Sequence, residues 1–162
     1  MAETLSVTDM LPNKFEPKRK FRWVLAIEGI DAFLLKSASR PSISIEAQEI
    51  PFINSRRYIA GKHSFETMSV ALHDPIAPSA AQQVMEWIRT HSESVSGRAG
   101  YADFYKRDIQ LKMLDPIGTV VELWDIKGAF ITAANFGDLD YSTEDPSDIQ
   151  LTLRFDNCVL QY

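Results

Sequence analysis

Few residues in this sequence have the types and spacing that site chemistry requires. The three histidines, His63, His73 and His91, do not have the spacing of a zinc motif, and Cys158 is the single cysteine. The sequence has neither the Gly-x-Ser-x-Gly turn of a serine nucleophile nor a glycine-rich phosphate loop. We therefore predict that the protein is not an enzyme, with no catalytic residues, no cofactor and no bound metal.

Composition and charge indicate a single folded domain that does not hold nucleic acid tightly. Of the 162 residues, 45% are hydrophobic and 24% are charged, which is ordinary for a globular protein. The net charge is −5, whereas tight binding to phosphates needs clustered lysine and arginine. Residues 1–63 carry 10 basic and 7 acidic side chains, and the rest of the chain carries 7 and 15. No run approaches the ~18 apolar residues of a membrane span, so no membrane anchor is expected.

The elements that would position these side chains are mostly strands. Alternating apolar and polar residues, typical of a strand with one buried face, recur along the chain. They predict strands at residues 21–27, 32–37, 43–48, 65–72, 109–113, 119–126, 129–133 and 149–155. The first two are expected to pair as a hairpin around Gly29, and Lys127-Gly128 is expected to mark a bulge or bend.

One helix is predicted over residues 75–92, with Pro75 or Pro78 in its first turn and an apolar stripe along one face. The predicted fold class is mainly β: a small antiparallel β-barrel or two-sheet sandwich with one flanking α-helix. Residues 1–20 lack a sustained period and form a predicted N-terminal arm, whereas residues 21–162 form a single β domain.

Residues 52–63 combine apolar and cationic side chains in a segment rich in turn-forming residues. This mixture predicts a protruding loop or hairpin that docks on another surface. The alternative is a loop folded back over the core, with its aromatic residues as anchors. The candidate contact residues are Phe52, Arg56, Arg57, Tyr58, Ile59 and Lys62. An acidic loop at residues 138–148 would offer carboxylates to these cations.

A resemblance to a known family covers about residues 21–162. It rests on the order and spacing of short stretches, namely Pro51-Phe52-Ile53-Asn54-Ser55-Arg56, Ala60-Gly61, Phe65, Val70, Asp74, Trp87, Lys127-Gly128-Ala129-Phe130, Tyr141 and Leu151-Thr152-Leu153-Arg154-Phe155-Asp156. In this pattern the sequence resembles the tail tube proteins of contractile-tailed bacteriophages. It departs from the family at Ile131-Thr132, near which the family usually has a proline.

The resemblance implies a structural virion protein. Six copies would close a ring, and stacked rings would form the tail tube, the conduit for genome DNA inside a contractile sheath. The implied partners are further copies of the chain, the tail sheath protein, and the baseplate and tail-terminator proteins, while double-stranded DNA passes without specific binding. The implied location is the virion tail, after assembly in the host cytoplasm.

Other functions fit the sequence as well. A tube-initiator protein shares the features above, and so do the tubes of headless machines such as pyocin-like, extracellular and type VI secretion systems. From a different class, a ligand-binding β-sandwich would bury an aromatic-lined pocket.

A tube implies that one face of its strands lines the channel. A polar face with few cations would let DNA slide, because each contact between a cation and a phosphate adds affinity. The lumen-facing candidates are Ser44, Glu46, Gln48, Thr67 and Ser69, which alternate with apolar residues expected to face the subunit's own core. The alternative is that these positions face the sheath or solvent.

Overall fold

Nine strands and two helices form the chain between residues 14 and 162, the part that this computed structural model describes. The strands are β1 (Trp23–Ala26), β2 (Leu35–Ala38), β3 (Ile43–Phe52), β4 (Ser55–Phe65), β5 (Met68–His73), β6 (Arg107–Leu114), β7 (Val120–Asn135), β8 (Asp148–Arg154) and β9 (Asn157–Leu160). The helices are α1 (Ala80–His91) and α2 (Ala102–Tyr105), and a short 3-10 helix spans Ala32–Leu34. Residues 1–13 of the predicted arm lie outside the described residues, and residues 14–20 contain no helix or strand.

The strands form two antiparallel sheets beside one main helix, which confirms the mainly β prediction. The larger sheet has seven strands in the order β1-β6-β7-β8-β5-β2, and β9 pairs with β7. The smaller sheet contains only β3 and β4. Across residues 14–162 the larger sheet is open rather than closed into a barrel, because β1 and β2 are its two ends and do not pair with each other.

A bend in β7 lets one 16-residue strand serve two parts of the sheet. Its first half pairs with β6 and β9, and its second half pairs with β8. Between the pairs Arg107↔Ala129 and Ile109↔Ile126, one residue of β6 opposes both Lys127 and Gly128, which is a β-bulge. Gly128 has φ +67, a conformation that glycine adopts without strain. The predicted bulge at Lys127-Gly128 is therefore confirmed.

The core is one cluster that joins the sheet to α1. Its strand residues alternate along β6 and β8, where Ile109, Leu111, Ile149, Leu151 and Leu153 are buried and their neighbours are half-buried or exposed. The helix contributes Ala80, Val84 and Trp87. The indole Nε1 of Trp87 donates to the backbone oxygen of Tyr105 at 2.7 Å, and the Arg107 guanidinium lies 4.6 Å from the indole ring centre. The helix is thus fixed to the sheet by packing and by a satisfied polar group.

One predicted strand pairing and one predicted strand are wrong. Residues 21–27 and 32–37 do not form a hairpin, since β1 pairs with β6 and β2 pairs with β5. The 3-10 helix lies between β1 and β2 and buries Leu34 in the core. The chain therefore does not turn straight back from β1 into β2. Residues 65–72 are also not one strand, because Glu66 and Thr67 separate β4 from β5.

The helix begins later than predicted. Ser79 is its N-cap, and the Ser79 side chain accepts a hydrogen bond from the Gln82 backbone at 3.4 Å. Asp74 accepts from the Ala81 backbone at 3.3 Å. Neither Pro75 nor Pro78 is in the helix, which leaves residues 75–79 as a connection. Residues 93–105, which follow the predicted helix, contain α2.

Candidate assembly surface

The β3–β4 hairpin (Ile43–Phe65) extends from the end of the larger sheet. The Ser39 backbone amide donates to the Ser69 oxygen at 2.9 Å, and the Glu66 amide donates to the Ser42 oxygen at 3.1 Å. These bonds join the two sheets end to end, so β3 follows the line of β2 and β4 leads into β5. A strand of 10 residues is about 33 Å long. The hairpin therefore reaches well beyond the core.

The tip of the hairpin is a strained two-residue turn. Phe52 and Ser55 are the last opposed pair, so Ile53 and Asn54 make the turn. Ile53 has φ +50, which a β-branched side chain rarely adopts, and its side chain is 87% exposed. An exposed isoleucine in a strained turn contributes nothing evident to folding. Strain of this kind is typical of positions selected for function.

The predicted contact residues lie on two faces of the hairpin. Opposed residues share a face, and faces alternate along each strand. One face, called here the Ile59 face, carries Gln48, Ile50, Phe52, Arg57 and Ile59. The opposite face, called the Tyr58 face, carries Ala47, Glu49, Arg56 and Tyr58. The six candidates are thus not one patch, and a partner would meet either face or the tip.

A bulge near the base of the hairpin places the remaining candidate, Lys62. Gly61 and Lys62 together oppose Glu46, between the pairs Ile45↔His63 and Ala47↔Ala60. A Cβ atom at Gly61 would lie 2.8 Å from the Glu46 backbone oxygen, so only glycine fits.

On the Tyr58 face, the Arg56 Nε and a Glu49 oxygen are 3.1 Å apart. Arg56 is therefore already paired within its own hairpin, whereas Arg57 has no carboxylate within ion-pair distance among residues 14–162.

The hairpin also exposes apolar residues that the sequence prediction missed. Ile43 and Ile45 are 57% and 58% exposed, and Ile50 is exposed as well. Alternation at residues 43–48 predicted that these side chains face the subunit's own core, and that expectation is wrong. The alternation predicts a strand with one apolar face and one polar face, but it does not identify what covers the apolar face.

The lumen-facing candidates partly share a surface. Ser44, Glu46 and Gln48 lie on the Ile59 face of β3, and the Ser44 and Ser64 hydroxyl oxygens are 3.2 Å apart. Ser69 is exposed on β5 and opposes Thr152 of β8. Thr67 is in neither strand, so its placement on a predicted strand is wrong.

These polar positions face away from the core. Phe65, on the other face of β4 from Ser64, packs against the core and lies 5.5 Å from the Phe155 ring. Met68, beside Ser69, is buried. Because faces alternate, Ser64 and Ser69 both point outward, on a surface that also carries the exposed Arg154.

The acidic segment, defined here as residues 136–147, joins β7 to β8. Asp140 accepts a hydrogen bond from the Ser142 backbone at 2.9 Å, which lowers the pKa of the Asp140 carboxyl. Asp148, which ends the predicted acidic loop, is instead paired with Lys36, whose hydrogen bond lowers the Asp148 pKa, and lies 3.3 Å from His73. Asp148 therefore stabilises the subunit itself, whereas the carboxylates of the acidic segment form no ion pair within residues 14–162.

The histidines have structural neighbours. The His63 ring lies 5.5 Å from the Phe65 ring, and the His91 ring lies 4.4 Å from the Tyr105 ring. Within residues 14–162, no three histidine, cysteine or acidic side chains are placed to share a metal ion. In the same residues, neither helix has the length and apolar character to span a bilayer.

Comparison with solved structures identifies the fold. No protein-family model matches the sequence, and no curated protein matches it. A chain of the anti-feeding prophage tube-terminating cap aligns with a TM-score of 0.76 and 19% identity, covering 97% of this chain and 99% of that one. A chain of the PVC sheath/tube terminator, from an extracellular contractile injection system, aligns with a TM-score of 0.74 and 17% identity, covering 91% of this chain and 99% of that one. A chain of the PVC sheath-tube complex aligns with a TM-score of 0.72 and 17% identity, covering 98% of this chain and 99% of that one. The protein has the fold of contractile tail tube proteins, as the sequence resemblance implies.

Proposed function

We propose that this chain is a tube-forming structural subunit of a contractile tail or injection machine, in which copies close into rings and rings stack. The observation that carries the proposal is the β3–β4 hairpin. It projects from the core, exposes apolar side chains on both faces and has unpaired outer edges within residues 14–162. An isolated two-stranded hairpin is marginally stable in water, so a partner that covers it is expected.

Ring closure would remove unpaired strand edges. Exposed edges invite uncontrolled pairing with other chains, and a closed ring satisfies them with copies of the same subunit. The hexamer is taken from the resemblance to phage tail tubes. The structural role needs no catalytic residue, and we assign none.

Stacking would use the tip and the apolar contact residues. Burying a Phe or Ile side chain stabilises by about 1.5–3 kcal/mol, so Phe52, Ile53 and Ile59 could anchor one hairpin in a neighbouring ring. Arg57 would pair with a carboxylate of that ring. Each contact is small, but several copies engage together, and multivalent attachment multiplies weak contacts.

The outward polar surface is the proposed lumen lining. It includes Ser44, Glu46, Gln48 and Ser69, which offer no cation to a passing phosphate backbone, and it also carries the exposed Arg154. Thr67, which lies in the connection between β4 and β5, remains a weaker candidate for the lumen lining. In a phage, the conduit would carry genome DNA, the tube would contact the sheath, baseplate and tail-terminator proteins, and the assembled subunit would belong to the virion after assembly in the host cytoplasm.

A second candidate is the tube or cap of a headless extracellular injection machine. The similarity to chains of the anti-feeding prophage cap and of the PVC sheath-tube complex favours it. Nucleic acid inside purified assembled particles would support the phage tube. Protein cargo, or a particle that lacks a capsid, would support the injection machine. Single rings that never lengthen would point to a tube-initiator or cap.

The test is to shorten the hairpin at an existing cross-strand pair. Ala47 and Ala60 oppose each other, so replacing residues 48–59 with Asn-Gly joins them through a favoured two-residue turn. The native chain should form rings or tubes in electron micrographs. The shortened chain should keep the native thermal unfolding temperature within a few degrees and fail to stack. A native chain that stays monomeric at high concentration, or a shortened chain that still forms tubes, would refute the proposal.

A further inference from the structure

The seam between β1 and β2 is an open cleft into the side of the subunit. These strands end the seven-stranded sheet, and their outer edges are unpaired within residues 14–162. The cleft between them has a volume of about 680 Å³. Its floor is formed by Leu111 and Met113, which belong to the inner face of β6, and Trp23 lines one wall. Leu111 and Met113 are buried at the bottom of the cleft, with the Arg40 guanidinium against the Met113 sulfur. The half-buried Trp23 and Ala38 therefore supply much of its accessible apolar surface.

The rim of this cleft is cationic. Lys18, Lys20, Lys36 and Arg40 line it. Two carboxylates compensate part of this charge, because Glu122 binds Lys18 and lies 3.8 Å from Arg40, and Asp148 binds Lys36. Lys20 has no carboxylate within ion-pair distance among the described residues. The rim thus retains a net positive charge around an apolar floor.

The acidic segment has the opposite character. Its four carboxylates are Asp138, Asp140, Glu144 and Asp145, and residues 136–147 include no lysine or arginine. Leu139 and Tyr141 lie among them and are almost completely exposed. Apolar side chains flanked by carboxylates match a cleft with an apolar floor and a cationic rim.

We propose that the β1–β2 cleft binds the acidic segment of a second copy of the chain, with Leu139 and Tyr141 over the floor and the carboxylates on the rim. The contact is lateral and rests on the proposed self-assembly. It gives the acidic segment a different partner from the hairpin cations named above, of which Arg56 is already paired with Glu49.

The topology makes this contact head-to-tail. The acidic segment joins β7 to β8, which lie in the middle of the sheet order, whereas the cleft lies between its two ends. The two surfaces are different parts of one subunit. Asp148, which follows the acidic segment, reaches the rim by binding Lys36, but Leu139 and Tyr141 are exposed and do not fill the cleft of their own subunit. A surface that binds a different surface of the next copy generates a closed ring when the rotation closes, and an open filament otherwise.

The experiment places a photo-crosslinking benzophenone amino acid at Leu139 of the full-length chain. After irradiation of an equal mixture of isotopically heavy and light protein, mass spectrometry should find mixed heavy–light crosslinks to peptides that contain Trp23 or Met113. The same group at Val95, an exposed residue in the connection between α1 and α2, is the matched control and should not label the cleft. Adding Lys20→Glu and Ser37→Glu should lower the Leu139 crosslink yield at least about fivefold, because both put negative charge in the rim.

The outcomes separate this inference from the proposed function. Crosslinks from Leu139 to the 52–62 peptide would assign the acidic segment to the hairpin and overturn the inference. Crosslinks confined to one chain, or an unchanged yield in the Lys20→Glu/Ser37→Glu variant, would also overturn it. If tubes form without the cleft crosslink, the proposed function stands and the inference fails. If the cleft crosslink forms between copies that make no rings or tubes, the inference stands and the tube function fails.

Discussion

The larger sheet and the β3–β4 hairpin use similar residues in opposite ways. In β8 the apolar residues Ile149, Leu151 and Leu153 are buried, and the residues between them are half-buried or exposed. In β3 the alternating Ile43 and Ile45 are more than half exposed. The alternating residues form strands in both regions, but the apolar side chains are buried only in the larger sheet. The comparison teaches that the sheet stabilises the subunit, whereas the hairpin leaves apolar side chains that the subunit itself does not cover.

The largest expected effect is in the core. Trp87→Ala removes a buried indole, its hydrogen bond to Tyr105 and its contact with Arg107. We expect the free energy of unfolding to fall by about 3–5 kcal/mol, because the subunit is left with a cavity and an unpaired carbonyl. Urea denaturation followed by circular dichroism measures this loss. A loss below about 1 kcal/mol would show that α1 is not part of the folding unit. It would contradict the conclusion that burial in the core stabilises the subunit.

The next effect tests the bend that lets β7 serve both halves of the sheet. Gly128→Ala introduces a Cβ at φ +67 that would overlap the Asp156 carboxylate. We expect a loss of about 1–3 kcal/mol from backbone strain and displaced Asp156. The matched control is Gly118→Ala, whose φ is +90 but whose Cβ would meet nothing within 4 Å. Equal losses in the two variants would mean that backbone conformation alone matters at the bend.

Sequence reasoning located most strands, the main helix and the bulge, because each depends on local patterns. It failed where pairing is decided at a distance. The turn at Gly29 looked like a hairpin, yet β1 and β2 pair with strands far along the chain. The same limit applies to the hairpin: the composition of residues 52–63 predicted a protruding element, but the alternation at Ile43 and Ile45 could not reveal that both side chains are exposed on the subunit. The cleft between β1 and β2 was invisible for the same reason.

A smaller effect is expected at Glu122, which binds two residues of the cleft rim. Burial would raise the pKa of Glu122, but hydrogen bonds from Lys18 and Trp124 and the nearby charge of Arg40 hold it below its ordinary value. Glu122→Gln removes this charge. We expect a loss of about 1–2 kcal/mol at neutral pH, since Lys18 and Arg40 are half exposed and remain hydrated.

The pH dependence identifies the charge as the cause. A carboxyl whose pKa is lowered on folding stabilises the protein above its unfolded pKa, and this stabilisation is lost as pH falls through the folded value. The difference between native and Glu122→Gln proteins should therefore be constant above the ordinary value of 4.5 and shrink below it. Other carboxyls are common to both proteins and cancel. A difference that persists at low pH would assign the loss to packing.

The smallest expected effect on stability is in the hairpin, and it is the one that sharpens the comparison most. Ile59→Ser changes a half-exposed residue on the Ile59 face. We expect the free energy of unfolding of the monomer to change by less than about 0.5 kcal/mol, because little apolar surface is lost from the subunit itself. Ring stacking should weaken markedly, since the lost apolar contact recurs in every copy. The control is Ile117→Ser, a change of the same type at an exposed turn, which should leave both stability and tube length unchanged. Denaturation curves and tube lengths in electron micrographs measure the two quantities separately. If Ile59→Ser destabilises the monomer as much as a core substitution, the hairpin belongs to the folding unit and the contrast between the two regions is wrong.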